Sequence, residues 1–198
     1  MRAGHVQVIL QVDKVGVPGS TVREEKRFKT LYLLHGIFGN YTDWVSGTNI
    51  QRWAEERSLA VVMPSGDNMF YVDQKEGHNF YGEYIGRELV EMTRRMFPLS
   101  RKREDTYIGG LSMGGYGALR NGLKYSGTFG CIASLSGAML IDDIAERTDD
   151  TASFIDSRTY SPRGFGNLQQ AAGSDKNPEW LVRRLTEEGK DIPQSALS

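Results

Sequence analysis

The sequence predicts a single α/β domain in which helices cover both faces of a mostly parallel sheet. Two runs, Thr30–Leu34 and Leu59–Met63, are almost entirely apolar, as expected of strands that are buried on both faces. Helical patterns lie between the apolar runs, and strands that alternate with helices are typical of this class. The 198 residues suit one domain with a substantial core.

The predicted strands are each bounded by turn residues. His5–Val12 alternates in part between apolar and polar residues, which indicates a strand with one exposed face. Thr30–Leu34 stops at a His-Gly pair and Leu59–Met63 at a Pro-Ser-Gly turn. Two further short runs, Tyr107–Gly109 and Cys131–Leu135, predict buried strands later in the chain.

Four segments show helical patterns: Asn49–Arg57, Tyr84–Phe97, Leu111–Tyr125 and Pro178–Glu188. The second carries an apolar stripe and ends before Pro98, and the fourth has proline at its start and Gly189 beyond its end. The polar segment 141–177 predicts a lid or insertion over one edge of the sheet, within a single domain spanning 1–198.

Composition excludes several classes of protein. The net charge of −1 gives no electrostatic basis for binding nucleic acid or an anionic membrane. No apolar stretch approaches the length of a membrane span, and the polar start does not resemble a signal peptide. The single cysteine, Cys131, precludes an intrachain disulfide and suits a reducing compartment, so we expect a cytoplasmic protein. We expect no cofactor, and the acids and histidine of segment 66–78 match no standard metal-ligand spacing.

A glycine-flanked serine is the most informative motif. Gly110-Leu111-Ser112-Met113-Gly114 lies between a predicted strand and a predicted helix. At such a junction a strained turn projects the serine hydroxyl above the sheet and beside a helix N-terminus, where a nucleophile can attack an acyl carbon. The pattern is short enough to arise by chance, so its place between strand and helix carries the prediction.

A second glycine-containing loop follows the first buried strand, at His35–Gly39. A serine esterase needs preorganised backbone N–H groups that stabilise the oxyanion of its tetrahedral intermediate. One such group belongs to the residue after the nucleophile, here Met113, and the other comes from a loop after a neighbouring strand. We interpret the His35 side chain as an anchor for this loop, with no role in proton transfer.

These stretches resemble the α/β-hydrolase superfamily and, within it, the putative-esterase family. That family includes tributyrin esterases, S-formylglutathione hydrolases (esterase D), feruloyl and acetylxylan esterases and mycolyltransferases. The resemblance rests on Leu31–Asn40 with Trp44, on Val61–Asn68, on Tyr107–Ala118 and on Ala133–Ala138, in the family's order. It implies that Ser112 is the nucleophile and that Ile37 and Met113 supply the oxyanion N–H groups, most similarly to the small tributyrin-esterase type.

The resemblance implies a carboxylic-ester hydrolase that acts on short-chain acyl or acetyl esters through a Ser112 acyl-enzyme. Thioester hydrolysis or acyl transfer on the same serine are alternatives. Aromatic side chains near the predicted carboxyl edge of the sheet are candidates for substrate binding: Trp44, Tyr71 and Tyr81. For each of them, ordinary packing is an equally good interpretation.

One part of the expected machinery is missing from the sequence. The family order is serine, then acid, then histidine, yet the three histidines, His5, His35 and His78, all precede Ser112. We therefore expect a truncated product that lacks the C-terminal strands. A base from His78 or another subunit, or an inactive domain that binds ligands or a partner, are the alternatives. Four aspartates could serve as acids, but we assign none of them: Asp142, Asp143, Asp156 and Asp175. An uncovered edge at Cys131–Leu135, unless residues 141–198 cap it, predicts self-association or low stability.

Overall fold

The computed structural model describes residues 4–11, 27–75, 77–139, 141 and 165–197. Within these residues the main sheet has six strands: β1 (Val6–Ile9), β2 (Lys29–Leu34), β3 (Leu59–Pro64), β6 (Thr106–Leu111), β7 (Cys131–Leu135) and β8 (Gln194–Leu197). Their order is β1-β3-β2-β6-β7-β8, and of these six only β1 is antiparallel to its neighbour. A separate hairpin is formed by β4 (Asp73–Gln74) and β5 (Asn79–Phe80). The predicted fold class is confirmed.

Helices connect the parallel strands. In chain order they are α1 (Asp43–Gly47), α2 (Ile50–Glu56), α3 (Tyr81–Glu83), α4 (Leu89–Met96), α5 (Met113–Lys124), α6 (Leu168–Ala171) and α7 (Pro178–Glu187). A π-helical segment, Tyr84–Glu88, joins α3 to α4, so the predicted helix over 84–97 is present with an irregular first half. A short 3₁₀ turn, Arg103–Asp105, precedes β6.

Side chains of alternate residues in the central strands pack into two hydrophobic cores, one on each face of the sheet. Tyr32, Leu34 and Val62 point into the larger core, together with residues of α4, α5 and α7. Leu33 and Val61 point into the smaller core, against α2. Strands β2 and β3 are thus covered on both faces, which explains their continuous apolar sequence.

Strand β8 was not predicted from the sequence. It pairs in parallel with β7 from Cys131↔Gln194 to Ser134↔Leu197, so it covers the edge that would otherwise be open. All four of its residues are exposed, and they carry no apolar run that would reveal a strand. Among the described residues β8 is the outermost strand on this side of the sheet.

Candidate active site

Ser112 occupies a strained turn between β6 and α5. Its backbone has φ 55° and ψ −116°, a conformation that non-glycine residues rarely adopt. Hydrogen bonds hold the turn on both sides: the Ser112 N–H donates to the Leu135 carbonyl at 2.9 Å, and the Ser112 carbonyl accepts from Ala138 N–H at 3.1 Å. Strain that is held by its surroundings in this way is typical of functional sites.

The glycines around Ser112 permit this close packing. A methyl group on Gly110 would collide with the backbone of Gly114, and one on Gly115 would lie 2.8 Å from the Leu135 carbonyl oxygen. A Cβ at either position would therefore force the first turn of α5 away from the strands. The small residues let the helix begin directly behind the serine.

The Ser112 side chain stands at the N-terminus of the 12-residue α5 but does not cap it. Within the described part of the chain its hydroxyl has no hydrogen-bond partner, and the residue is half-buried. The partial positive charge of a helix N-terminus favours negative charge developing at this point.

The loop after β2 lies directly beside the serine. A methyl group on Gly36 would lie 3.8 Å from Ser112 Cβ and 3.6 Å from the Leu111 carbonyl oxygen. The next peptide N–H along this loop belongs to Ile37, which packs against the larger core. In the described residues neither the Ile37 N–H nor the Met113 N–H donates a hydrogen bond, so both are available to an oxyanion.

His35 anchors this loop through both ring nitrogens. Nδ1 lies 2.6 Å from the Gly36 carbonyl oxygen, and Nε2 accepts the Gly66 N–H at 2.9 Å. Because Nε2 accepts, the proton of the neutral ring is on Nδ1 and donates to Gly36. Burial lowers the pKa of His35, which keeps the ring neutral. Both nitrogens face backbone groups, so the ring supports the loop.

The three aromatic candidates occupy different positions. Trp44 Nε1 donates to the Leu34 carbonyl at 3.1 Å, and its ring packs on the smaller core. Tyr71 is fully buried and donates its hydroxyl to the His35 carbonyl at 3.1 Å, so in this structure it offers no surface to a substrate. Tyr81 is half-buried and donates to the Asp67 carboxylate.

The remaining titratable candidates lie apart from Ser112. His78 is exposed in the turn between β4 and β5, and His5 stacks on Tyr41 beside the outer strand β1. No hydrogen bond joins a histidine to Ser112 in the part of the chain that the structure describes. Three of the candidate acids, Asp142, Asp143 and Asp156, lie outside the described residues.

The fourth candidate acid, Asp175, belongs to a charged cluster that the sequence analysis missed. It accepts from Arg120 Nη2 at 2.7 Å and from Lys124 Nζ at 2.6 Å, and Lys124 also contacts Asp73 at 2.9 Å. Burial by itself would raise the pKa of the Asp73 and Asp175 carboxyls, but the Arg120 and Lys124 cations hold both below their ordinary values. The sequence did contain an indication of this cluster, because Arg120 follows Tyr116 by one helical turn and so lies on the buried face of α5, where a charged residue needs partners.

The cluster fastens the end of the predicted lid to the helix behind the nucleophile. Of the segment 141–177, residues 142–164 lie outside the described residues, while 165–177 pack against α5. Tyr116 donates to the Lys176 carbonyl at 2.6 Å, and Phe165 packs on Tyr116 with ring centroids 5.7 Å apart. These contacts begin one helical turn after Ser112.

Two features are absent from the described residues. They contain no group of three His, Cys, Asp or Glu side chains that could hold a metal ion. They also contain no helix that is long and apolar enough to cross a membrane.

Comparison with known proteins agrees with the geometry. The sequence profile of the putative-esterase family matches residues 14–186. The chain belongs to the putative-esterase family. It is therefore a carboxylesterase-type enzyme of the serine-hydrolase kind by family, as the resemblance implied.

Two of the relatives are similar over nearly the whole chain. An acetyl esterase of Caldicellulosiruptor saccharolyticus is 46% identical over 189 residues, which are 96% of this chain and 71% of the relative. FphF, a fluorophosphonate-binding serine hydrolase of Staphylococcus aureus, is 33% identical in sequence, and its structure matches this one with a TM-score of 0.80. The match covers 97% of this chain and 71% of FphF.

A third relative has a different named activity. The S-formylglutathione hydrolase FrmB of Staphylococcus aureus is 32% identical with a TM-score of 0.76, over 97% of this chain and 71% of FrmB. The relatives of this chain thus include an acetyl esterase at 46% identity and an S-formylglutathione hydrolase at 32% identity.

Proposed function

We propose that this chain hydrolyses short-chain acyl or acetyl esters through an acyl-enzyme on Ser112. The observation that carries the proposal is the half-buried Ser112 hydroxyl at a strained helix N-terminus, with the Gly36–Ile37 loop beside it. In the first step Ser112 Oγ bonds to the ester carbonyl carbon, and the carbonyl oxygen becomes an oxyanion that accepts from the Ile37 and Met113 N–H groups. The C–O bond then breaks, the alcohol leaves with the serine proton, and water releases the acid.

The surroundings of Ser112 support an uncharged ester with small apolar groups. Four exposed apolar side chains lie on the segments that hold the serine and the loop: Phe38, Leu111, Leu135 and Met139. Leu111 is paired with Leu135 in the sheet, and the Leu135 carbonyl holds the Ser112 N–H. Apolar surface at this edge favours an acyl chain or acetyl group over a charged substituent. The relative from Caldicellulosiruptor, named an acetyl esterase, supports the same choice. Among triglycerides, tributyrin has the short acyl chains of the proposed substrates.

A second candidate is thioester hydrolysis on the same serine. FrmB supports it, as does an S-formylglutathione hydrolase of Paracoccus denitrificans that is 31% identical over 110 residues, 45% of this chain and 39% of the relative. Competition distinguishes the two: S-formylglutathione should inhibit p-nitrophenyl acetate hydrolysis if it is the better substrate of Ser112. The polar sequence and single cysteine support a cytoplasmic location for either reaction.

The test is p-nitrophenol release from p-nitrophenyl acetate by the full chain, by Ser112→Ala and by Ser136→Ala. Ser136 is an exposed serine at the same sheet edge with φ 44°, so its variant is a matched control. A parallel series contains imidazole, which can accept a proton in place of a side chain. Release that requires Ser112 but not Ser136 supports the proposal. Equal rates for the parent chain and Ser112→Ala in both series would refute it and favour an inert binding domain.

A further inference from the structure

We infer that Asn68 is a positioning residue that fixes the oxyanion loop, an inference that rests on the proposed function. Asn68 lies in the loop after β3, and its Oδ1 accepts the Phe38 N–H at 2.7 Å. Phe38 directly follows Ile37, the proposed oxyanion donor. The side chain of one loop thus holds the backbone of the other at the proposed reaction centre.

The two peptide planes that flank Ile37 are fixed from different sides. The first contains the Gly36 carbonyl, which His35 Nδ1 contacts at 2.6 Å and Gly39 N–H at 3.2 Å. Because a trans peptide is planar, this fixes the Ile37 N–H in the opposite direction from the Gly36 carbonyl. The second plane contains the Phe38 N–H, and Asn68 is its hydrogen-bond acceptor. With both planes held, the backbone at Ile37 has little freedom to turn its N–H away.

The second plane depends on hydrogen bonds because the Phe38 side chain is mostly exposed. Phe38 has φ 63°, which is uncommon for a bulky residue, and its side chain is 68% exposed. Hydrogen bonds therefore retain this left-handed residue. The Gly39 N–H donates to the Gly36 carbonyl and closes a turn around Ile37 and Phe38, and Asn68 accepts the N–H of the central peptide of that turn.

Asn68 is itself preorganised. It has φ 59°, in a region that asparagine tolerates better than most residues. The Met69 N–H donates to the Gly66 carbonyl at 2.9 Å, and the loop then enters the core through Phe70 and Tyr71, both at most 2% exposed. The acceptor is therefore carried by a short turn with a buried end, and it can impose its position on the neighbouring loop.

Two variants separate the hydrogen bond from the backbone conformation. Asn68→Gly removes the acceptor without straining the positive φ, whereas Asn68→Asp keeps an acceptor oxygen at the same place. Asn177→Gly is a matched control, since Asn177 Oδ1 accepts the Glu179 N–H at 2.9 Å at the start of helix α7. We expect Asn68→Gly to lower the Ser112-dependent kcat about tenfold, less than the loss of a direct oxyanion donor, with KM changed less than about twofold. Asn68→Asp should stay within about fivefold of the parent chain.

The experiment measures p-nitrophenyl acetate turnover with imidazole, thermal unfolding, and amide hydrogen exchange of Phe38 by NMR. Faster exchange at Phe38 and a lower kcat in Asn68→Gly, with neither change in Asn177→Gly, support the inference. An unchanged kcat in Asn68→Gly, or a change in KM alone, would overturn it while leaving Ser112 as the nucleophile. If neither the parent chain nor any variant shows Ser112-dependent turnover, the proposed function fails, and the inference that rests on it fails as well.

Discussion

Replacing Gly114 with alanine tests the packing that brings the serine turn and the oxyanion loop together. Gly114 lies in the first turn of α5, against the end of β2. A methyl group there would lie 2.6 Å from the His35 carbonyl oxygen and 2.7 Å from the Leu34 carbonyl carbon, and closer still to the Leu34 oxygen. All three are backbone atoms, so no side chain can swing aside. The helix or the loop must retreat.

The expected magnitude follows from two opposing effects. Overpacking of this kind costs about 1–3 kcal/mol, whereas alanine is favoured over glycine within a helix by about 1 kcal/mol. Because the three contacting atoms belong to the backbone, the overpacking cost should fall in the upper part of its range, about 2–3 kcal/mol. The net loss in the free energy of unfolding should therefore be about 1–2 kcal/mol, which lowers the Tm by about 2–8 °C for a domain of this size. The same retreat separates Ser112 from Ile37, and a displacement of about 1 Å can lower the rate about a hundredfold.

Thermal unfolding and Ser112-dependent ester hydrolysis measure the two effects. Gly47→Ala is the control: Gly47 lies in α1, and a methyl group there would meet nothing within 4 Å. We expect it to leave the rate unchanged and to raise the stability by up to about 1 kcal/mol. A Gly114→Ala protein that unfolds at or above the Tm of the parent chain would refute the proposed packing.

Three further predictions concern the histidine, the charged cluster and the sheet edge. Burial lowers the pKa of His35, so its neutral ring contributes stability that is complete above about pH 6.5 and is lost as the pH falls through the folded pKa. Denaturation curves should therefore show that the free energy of unfolding falls more steeply below about pH 6.5 for the parent chain than for His35→Asn. A parallel fall in the two proteins would contradict this. Arg120→Met should lower the free energy of unfolding, measured in urea, by about 2–3 kcal/mol, because it leaves the partly buried Asp73 and Asp175 with fewer cations. A decrease below about 0.5 kcal/mol would show that the cluster contributes little to stability. If β8 pairs with a second copy through its exposed edge, light scattering should show dimers that Leu197→Lys reduces; a parent chain that stays monomeric at high concentration would exclude this pairing.

The fold was predictable from the sequence where burial of an element produces a recognisable pattern of apolar residues. Strands β2 and β3 are covered on both faces, so nearly every residue in them is apolar, and α5 follows a recognisable serine turn. Strand β8 leaves no such mark because its four residues are exposed. The hairpin β4–β5 has two-residue strands, too short for any period to show.

At the candidate site the locations of Ser112 and of the His35–Gly39 loop were predictable, while their roles in catalysis remain predictions. The positions of Ser112 and the oxyanion loop follow from glycine spacing at the ends of strands. The function of Asn68 could not be read from the sequence, because it depends on two loops 30 residues apart meeting at one edge. The burial of Tyr71 likewise depends on a turn of positive-φ residues, which an aromatic run does not reveal.

Mass spectrometry of the chain quenched in acid after mixing with p-nitrophenyl acetate tests the central claim most directly. We predict one added acetyl group, located on the peptide that contains Ser112 and absent from Ser112→Ala. An acetyl group found only on other residues, or present to the same extent in Ser112→Ala, would contradict it.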